Sequence, residues 1–240
     1  MKKLFVLIAA ACMTCTAAFA QTVKPFKEGE RAVFLGNSIT DGGHYHSYIW
    51  LYYMTRFPDM PIRVFNGGIG GDTAYDMNKR LDGDIFAMKP SVLMVTFGMN
   101  DSGYFEYNGD KPKEFGEQKY QESIKNYQQM EKRFKDLPDT RIVMVGTSPY
   151  DETVQLKENT PFKTKNETIK RLVDYQKESA AKNNWEFTDL NAPMTAINQQ
   201  YQQKDPTFTL CGSDRIHPDN DGHMVCLLYT SPSPRDGATS

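Results

Sequence analysis

A serine that ends one apolar run and a histidine far downstream are the side chains here best suited to nucleophilic chemistry. Ala32-Val33-Phe34-Leu35 runs directly into Gly36-Asn37-Ser38-Ile39-Thr40-Asp41-Gly42-Gly43, which sets a hydroxyl where a strand would hand over to a helix. A serine at such a turn can attack a carbonyl and also expose its own N–H, or it can simply cap the helix that follows. Late in the chain, Ser213-Asp214-Arg215-Ile216-His217-Pro218 places a carboxylate three residues before an imidazole. His217 can take up a serine proton and Asp214 can fix its tautomer; alone, His217 also reads as a surface histidine.

Two further stretches carry hydrogen-bond donors. Asn66-Gly67-Gly68-Ile69-Gly70-Gly71-Asp72-Thr73 leaves backbone amides uncovered by side chains, and Gly71 precedes a helix cap at Asp72 or Thr73. The same stretch reads equally as a flexible turn. It is not a dinucleotide loop, because it follows a second strand and lacks the third glycine at the required place. Thr96-Phe97-Gly98-Met99-Asn100-Asp101 ends a third strand with an amide that can hold a developing oxyanion without titrating, or with an ordinary Asn-Asp turn. His44, His46, Asp101 and Tyr104 lie close enough in sequence to these blocks to contact a substrate.

The elements that must position these residues alternate. Apolar runs at Ala32–Leu35, Ile62–Phe65, Val92–Phe97, Ile142–Val145 and Trp185–Thr188 predict five strands, with helices over Ser47–Thr55, Ala74–Met88, Lys119–Lys135, Lys165–Asn183 and Ala192–Gln202. Strand and helix in turn imply an α/β fold on a mainly parallel sheet, whose carboxyl edge is where ligands bind. The Gly98–Gly116 and Ser148–Pro161 stretches read as long loops shaping a substrate mouth, with Tyr104, Tyr107 and Tyr150 on its walls.

The 240 residues suffice for one such domain, and a formal charge of −2 gives no electrostatic footprint for nucleic acid or an anionic membrane. Lys2 and Lys3, the apolar run Leu4–Met13 and the Ala18-Phe19-Ala20 site predict a secretory signal over residues 1–20, cleaved before Gln21, and no stable membrane anchor. The domain is expected over 21–225. From Cys226 the chain is read as leaving the helical pattern begun at Gly222-His223-Met224-Val225, so 226–240 are expected to form a non-native or disordered tail. Cys211 and Cys226 permit a disulfide in an exported protein without establishing one. No cluster has zinc spacing, and Asp219, Asn220 and Asp221 lack the rest of a calcium loop, so neither metal nor organic cofactor is expected.

Taken together and in this order, the four blocks resemble those of the GDSL-like or SGNH hydrolases, over roughly Val33 to Val225. The resemblance implies a flavodoxin-like three-layer α/β/α sandwich and a serine-dependent ester hydrolase. It implies Ser38 as nucleophile, His217 and Asp214 as base and orienting acid, and the Ser38 amide, Gly71 and Asn100 as the oxyanion hole. Asn37 stands where that family usually has aspartate. An exported chain with polar loops suits a small-molecule or polysaccharide ester as partner, with short acyl groups on carbohydrate foremost. A lysophospholipase or general short-chain lipase, and a non-catalytic carbohydrate-binding protein on the same fold, are the rival readings.

Overall fold

The computed structural model describes residues 21–230, so the signal segment and the last ten residues of the expected tail lie outside the described residues. Six strands form one sheet: β1 (Gln21–Thr22), β2 (Arg31–Gly36), β3 (Arg63–Gly68), β4 (Val92–Val95), β5 (Arg141–Gly146) and β6 (Glu186–Asp189). Their spatial order is β1-β6-β5-β4-β2-β3 and every pairing is parallel. Without the two-residue β1, the order is that of a flavodoxin-like sheet, and the succession reverses at β2, between β3 and β4. The five expected strands are all present. β1 adds itself to the free edge of β6, and two residues carry no alternation from which it could be read.

Alternation along the strands divides the core in two. Ala32, Phe34, Val92, Met94, Val143 and Val145 face one way, against Tyr45, Ile49 and Tyr53 of α2 (Tyr45–Arg56), Leu190 and Met194 at α6 (Asn191–Gln202), and Cys226 of α7 (Asn220–Thr230). Val33, Leu35, Leu93, Val95, Ile142 and Met144 face the other way, against Ala74 and Met77 of α3 (Ala74–Arg80), Tyr127, Met130 and Phe134 of α4 (Pro112–Lys135), and Ala180 of α5 (Lys165–Lys182). Successive side chains of a strand point to opposite faces, so both faces of this sheet must be covered. The three layers follow from that. No described helix is long and apolar enough to cross a membrane.

Several expected boundaries need correcting. The helix at 74–88 is not continuous: α3 gives way to a π turn at Leu81–Ile85 and a 3₁₀ turn at Phe86–Met88, where Asp82, Gly83 and Asp84 are poor helix formers. Helix α4 begins at Pro112 rather than Lys119, with proline in its first turn. Gly116, which read as loop, is a buried helical position where an added Cβ would stand 2.5 Å from Thr168 Oγ1. Nor does the last helix stop at Val225. It runs to Thr230, with Cys226 in the core and the Tyr229 carbonyl accepting from Thr188 Oγ1 at 2.8 Å, because the prolines able to stop it stand only at 232 and 234. Cys211 and Cys226 are buried free thiols.

The serine turn is a four-residue helix, α1 (Ser38–Asp41), wedged against the end of β3. Asn66 fastens it by donating from Nδ2 to the Asp41 carbonyl at 2.8 Å and accepting from the Gly68 N–H at 2.9 Å. A Cβ on Gly68 would meet the Asp41 backbone nitrogen at 2.3 Å. Gly68→Ala should therefore lower stability by about 1–3 kcal/mol through overpacking, and reduce activity with it by displacing α1. Urea denaturation of the variant checks the first effect; an unchanged midpoint would show that α1 is not fixed by this contact.

Candidate active site

The four blocks converge on the carboxyl edge of the sheet, at the reversal of strand order. Ser38 follows β2, Gly71 follows β3, and Asn100 follows β4. The fourth block enters from the loop before α7. Ser38 Oγ lies 2.7 Å from His217 Nε2, and His217 Nδ1 lies 2.5 Å from Asp214 Oδ2. The other oxygen of Asp214 accepts the backbone N–H groups of Ile216 and His217, both at 2.9 Å. The carboxylate therefore shapes the loop that presents the imidazole as well as orienting the ring.

Electrostatics follow from this geometry. The hydrogen bond that His217 donates to the Asp214 carboxylate raises the His217 pKa above its ordinary value, against a smaller lowering by burial. Burial pushes Asp214 up, yet the bonds from the His217 ring and from two backbone amides outweigh it and hold the acid below its ordinary value. The pair can thus store the proton that leaves Ser38.

The residues expected as oxyanion donors keep N–H groups available. The backbone N–H groups of Ser38 and Gly71 have no acceptor among the described residues; Ser38 opens α1, where the first amides have no helical partner. Gly71 has φ +85°, which favours glycine, and a Cβ on its neighbour Gly70 would stand 4.0 Å from Ser38 Cβ. Asn100 Nδ2 donates to the Asp72 carbonyl of the same turn at 2.9 Å, which leaves its second N–H uncommitted. Beside Ser38 and His217 opens a cavity of about 440 Å³, walled also by Gly42, Gly43, His44 and His223 among others.

Not every residue expected at the substrate lies there. His44 lines the cavity, whereas His46 is buried behind α1, with Nε2 at 3.0 Å from the Thr40 carbonyl. Asp101 is also buried: its carboxylate accepts from the N–H groups of Ala74 and Gly98 and from Ser123 Oγ, so it ties α3 and α4 to the Asn100 loop. Tyr107 and Tyr150 face inward rather than into a mouth, Tyr107 bonded to the Ser102 carbonyl and Tyr150 accepting from the Phe162 N–H. Tyr104 stays half-buried at the rim, donating to Asn100 Oδ1 at 2.5 Å. Asn37 is buried as the cap of α1: its Oδ1 accepts from the Ile39 N–H at 3.0 Å, while its Nδ2 has no partner among the described residues.

Three cations that the sequence reading passed over hold the site loops. Arg80 binds Asp72 at 2.6 Å and donates to the carbonyls of Gly36 and Gly67, joining the Gly71 turn to the ends of β2 and β3. Lys165 donates to the carbonyls of Met99 and Gly103 and to Ser102 Oγ, beneath the Asn100 loop. Burial lowers its pKa to about 7, against the opposing pull of Asp101 and Glu152. Arg215, 1% exposed and at φ +68°, donates to the carbonyls of Asp151, Val154 and Asn159, and so moors the His217 loop to the Ser148–Pro161 loop. A signal existed for Lys165: it falls on the stripe with Thr168, Ile169, Leu172 and Val173, the buried face of α5.

The chain is similar to known proteins over most of its length. The model of the GDSL-like Lipase/Acylhydrolase family matches residues 34–225. An acetylxylan esterase from Geobacillus stearothermophilus is 26% identical over 213 residues, covering 82% of this chain and 90% of that protein. Among solved structures, the acetylxylan esterase Axe2 of the same organism superposes with a TM-score of 0.66 at 24% identity, over 85% of this chain and 94% of that one. A gut microbial diltiazem-metabolizing enzyme superposes with a TM-score of 0.86 at 83% identity over 87% of this chain; the chain spans only 47% of that protein's length.

Because His217 must be neutral to accept the proton, activity should rise as pH climbs through its raised pKa. In Asp214→Asn the hydrogen bond that raises it is lost, so the acidic limb of kcat/KM should move to lower pH while the rate falls roughly 10³–10⁴-fold. A pH profile with p-nitrophenyl acetate measures both; a limb that stayed in place would deny Asp214 this role.

Proposed function

The chain belongs to the GDSL-like lipase/acylhydrolase family, and from that premise we propose that it is a serine-dependent carboxylic-ester hydrolase that removes short acyl groups, acetyl foremost, from carbohydrate. The observation that carries the proposal is the continuous line from the Ser38 hydroxyl through the His217 ring to the Asp214 carboxylate, at 2.7 and 2.5 Å.

In the proposed reaction His217 removes the Ser38 proton as Oγ attacks the ester carbonyl. Negative charge gathers on the carbonyl oxygen, where the amides of Ser38 and Gly71 and the free Asn100 N–H receive it. His217 then passes its proton to the leaving alcohol oxygen. Water enters, gives a proton to the same nitrogen and attacks the acyl-enzyme, and collapse of the second tetrahedral intermediate releases the acid and restores Ser38.

The acyl group has more support than the alcohol. The related acetylxylan esterase acts, by its name, on acetylated xylan, and the other relative metabolizes diltiazem. The cavity beside Ser38, walled by glycines and imidazoles, suits a compact polar alcohol better than a lipid chain.

Ser38→Ala should abolish hydrolysis of p-nitrophenyl acetate and prevent phosphonylation, and the wild type should lose nearly all rate on the palmitate ester. Turnover that survives in Ser38→Ala ends the serine mechanism; equal rates on the two esters favour a lipase. Acetylated xylo-oligosaccharide and diltiazem, compared by kcat/KM, decide the alcohol. We further propose export, on the strength of Lys2, Lys3 and the apolar run to Met13. N-terminal sequencing of protein recovered outside the cytoplasm should begin at Gln21, and an intact Met1 there would refute cleavage.

A further inference from the structure

We propose that Tyr104 is a positioning residue that acts through the oxyanion donor Asn100, with Lys165 as the post that holds the loop of both. The proposal rests on the reading of Asn100 as an oxyanion ligand and extends it one layer outward.

A side-chain amide serves an oxyanion only if its N–H, and not its carbonyl, faces the reacting oxygen. Asn100 is prevented from turning over by two opposed partners. Its Oδ1 accepts the Tyr104 hydroxyl proton at 2.5 Å, and one Nδ2 proton is taken by the Asp72 carbonyl at 2.9 Å. A flipped amide would set Nδ2 against the tyrosine hydroxyl and Oδ1 against a carbonyl oxygen, a repulsive contact with no donor between. The second N–H is thereby fixed in direction beside Asp72, two residues along the same turn from Gly70, whose added Cβ would stand 4.0 Å from Ser38 Cβ. Donation into Oδ1 also draws electron density from the amide nitrogen, which strengthens that N–H as a donor.

Tyr104 is itself tightly placed. Its ring lies 3.9 Å from Lys165 Nζ and meets the Phe162 ring edge-on at 6.0 Å. Lys165 has 0% exposure and spends its three N–H bonds on Met99, Ser102 and Gly103, which bracket Asn100 and immediately precede Tyr104. Asp101 and Glu152 are the acids that act on the ammonium, and Tyr150 joins Tyr104 as the aromatic face beside it. The hydroxyl of Tyr104 is thus committed to Asn100, which distinguishes it from a side chain held free to bind sugar.

A double-mutant cycle with p-nitrophenyl acetate tests the inference. Tyr104→Phe should lower kcat roughly tenfold with KM little changed, and Asn100→Ala about 10²- to 10³-fold. In the Asn100→Ala background, Tyr104→Phe should cost almost nothing further, because its route to the oxyanion has gone. Multiplicative losses, a loss confined to KM, or no loss at all would each overturn the proposal. Lys165→Gln should likewise lower kcat; if that variant does not fold, the Tyr104 cycle decides alone. Ser38→Ala assayed alongside separates the two levels: residual turnover there overturns the serine mechanism, whereas a failed cycle in a Ser38-dependent enzyme overturns only the role of Tyr104.

Discussion

A hydroxyl and an imidazole 179 residues apart in the chain meet at 2.7 Å, and the rest of the molecule can be read as what that contact requires. Neither partner lies deep in a helix or strand. Ser38 opens a helix of four residues and His217 sits in a loop, so local structure alone holds neither within hydrogen-bond range of the other. The parallel sheet supplies the common edge. Its order reverses at β2, so the turns after β2, β3 and β4 open around one crevice rather than beside unrelated helices.

A crevice built from loops carries backbone carbonyls that the sheet cannot satisfy, and three cations take up that task. Arg80, Lys165 and Arg215 direct most of their bonds to carbonyl oxygens, and each serves a different block of the site. Removing such a charge from water costs several kcal/mol, while each hydrogen bond to a charged group returns about 1.5–3 kcal/mol. Three bonds therefore bring the sum near balance. For Lys165 the balance falls short: burial lowers its pKa to about 7 against the pull of Asp101 and Glu152, so desolvation of the ammonium outweighs what its partners return. What these residues contribute is chiefly definition: a loop whose carbonyls converge on one fixed cation has few other conformations open to it.

The sequence made the chemistry legible where several weak signals agreed and left the scaffolding illegible where the signal was non-local. Ser38, Gly71, Asn100, Asp214 and His217 stood in blocks that each had an ordinary explanation, and their order relative to the strands gave them meaning. Tyr107, Asp101 and His46 misled because polar residues near a site block suggest exposure, yet each is buried with its partners supplied from elsewhere in the fold. The donors that satisfy Asp101 come from 27, 22 and 3 residues away, a set that no local window unites. Arg215 stands between Asp214 and His217, where a cation reads naturally as solvent-facing. The end of α7 was misjudged because a change of composition at Cys226 was given more weight than the absence of any helix breaker before Pro232.

His44, His217 and His223 line the cavity with Ser38 and His46 lies buried behind α1, and their surroundings differ. His223 forms part of the cavity wall, stacked on Tyr45 at 6.1 Å and edge-on to His44 at 5.5 Å, and burial together with the neighbouring histidines drives its pKa down to about 4. His46, behind α1, is lowered by burial as well. His217 alone has a carboxylate on its far nitrogen, and its pKa moves the other way. An ester beside Ser38 would thus face a neutral His223 and, in His217, the ring whose carboxylate partner favours taking up a proton. If His223 were charged near neutral pH, its field would oppose protonation of His217 just when Ser38 gives up its proton. The burial that keeps His223 neutral therefore leaves only the burial of His217 itself to oppose the pull of Asp214, and the difference between these rings follows from which of them has an acid behind it.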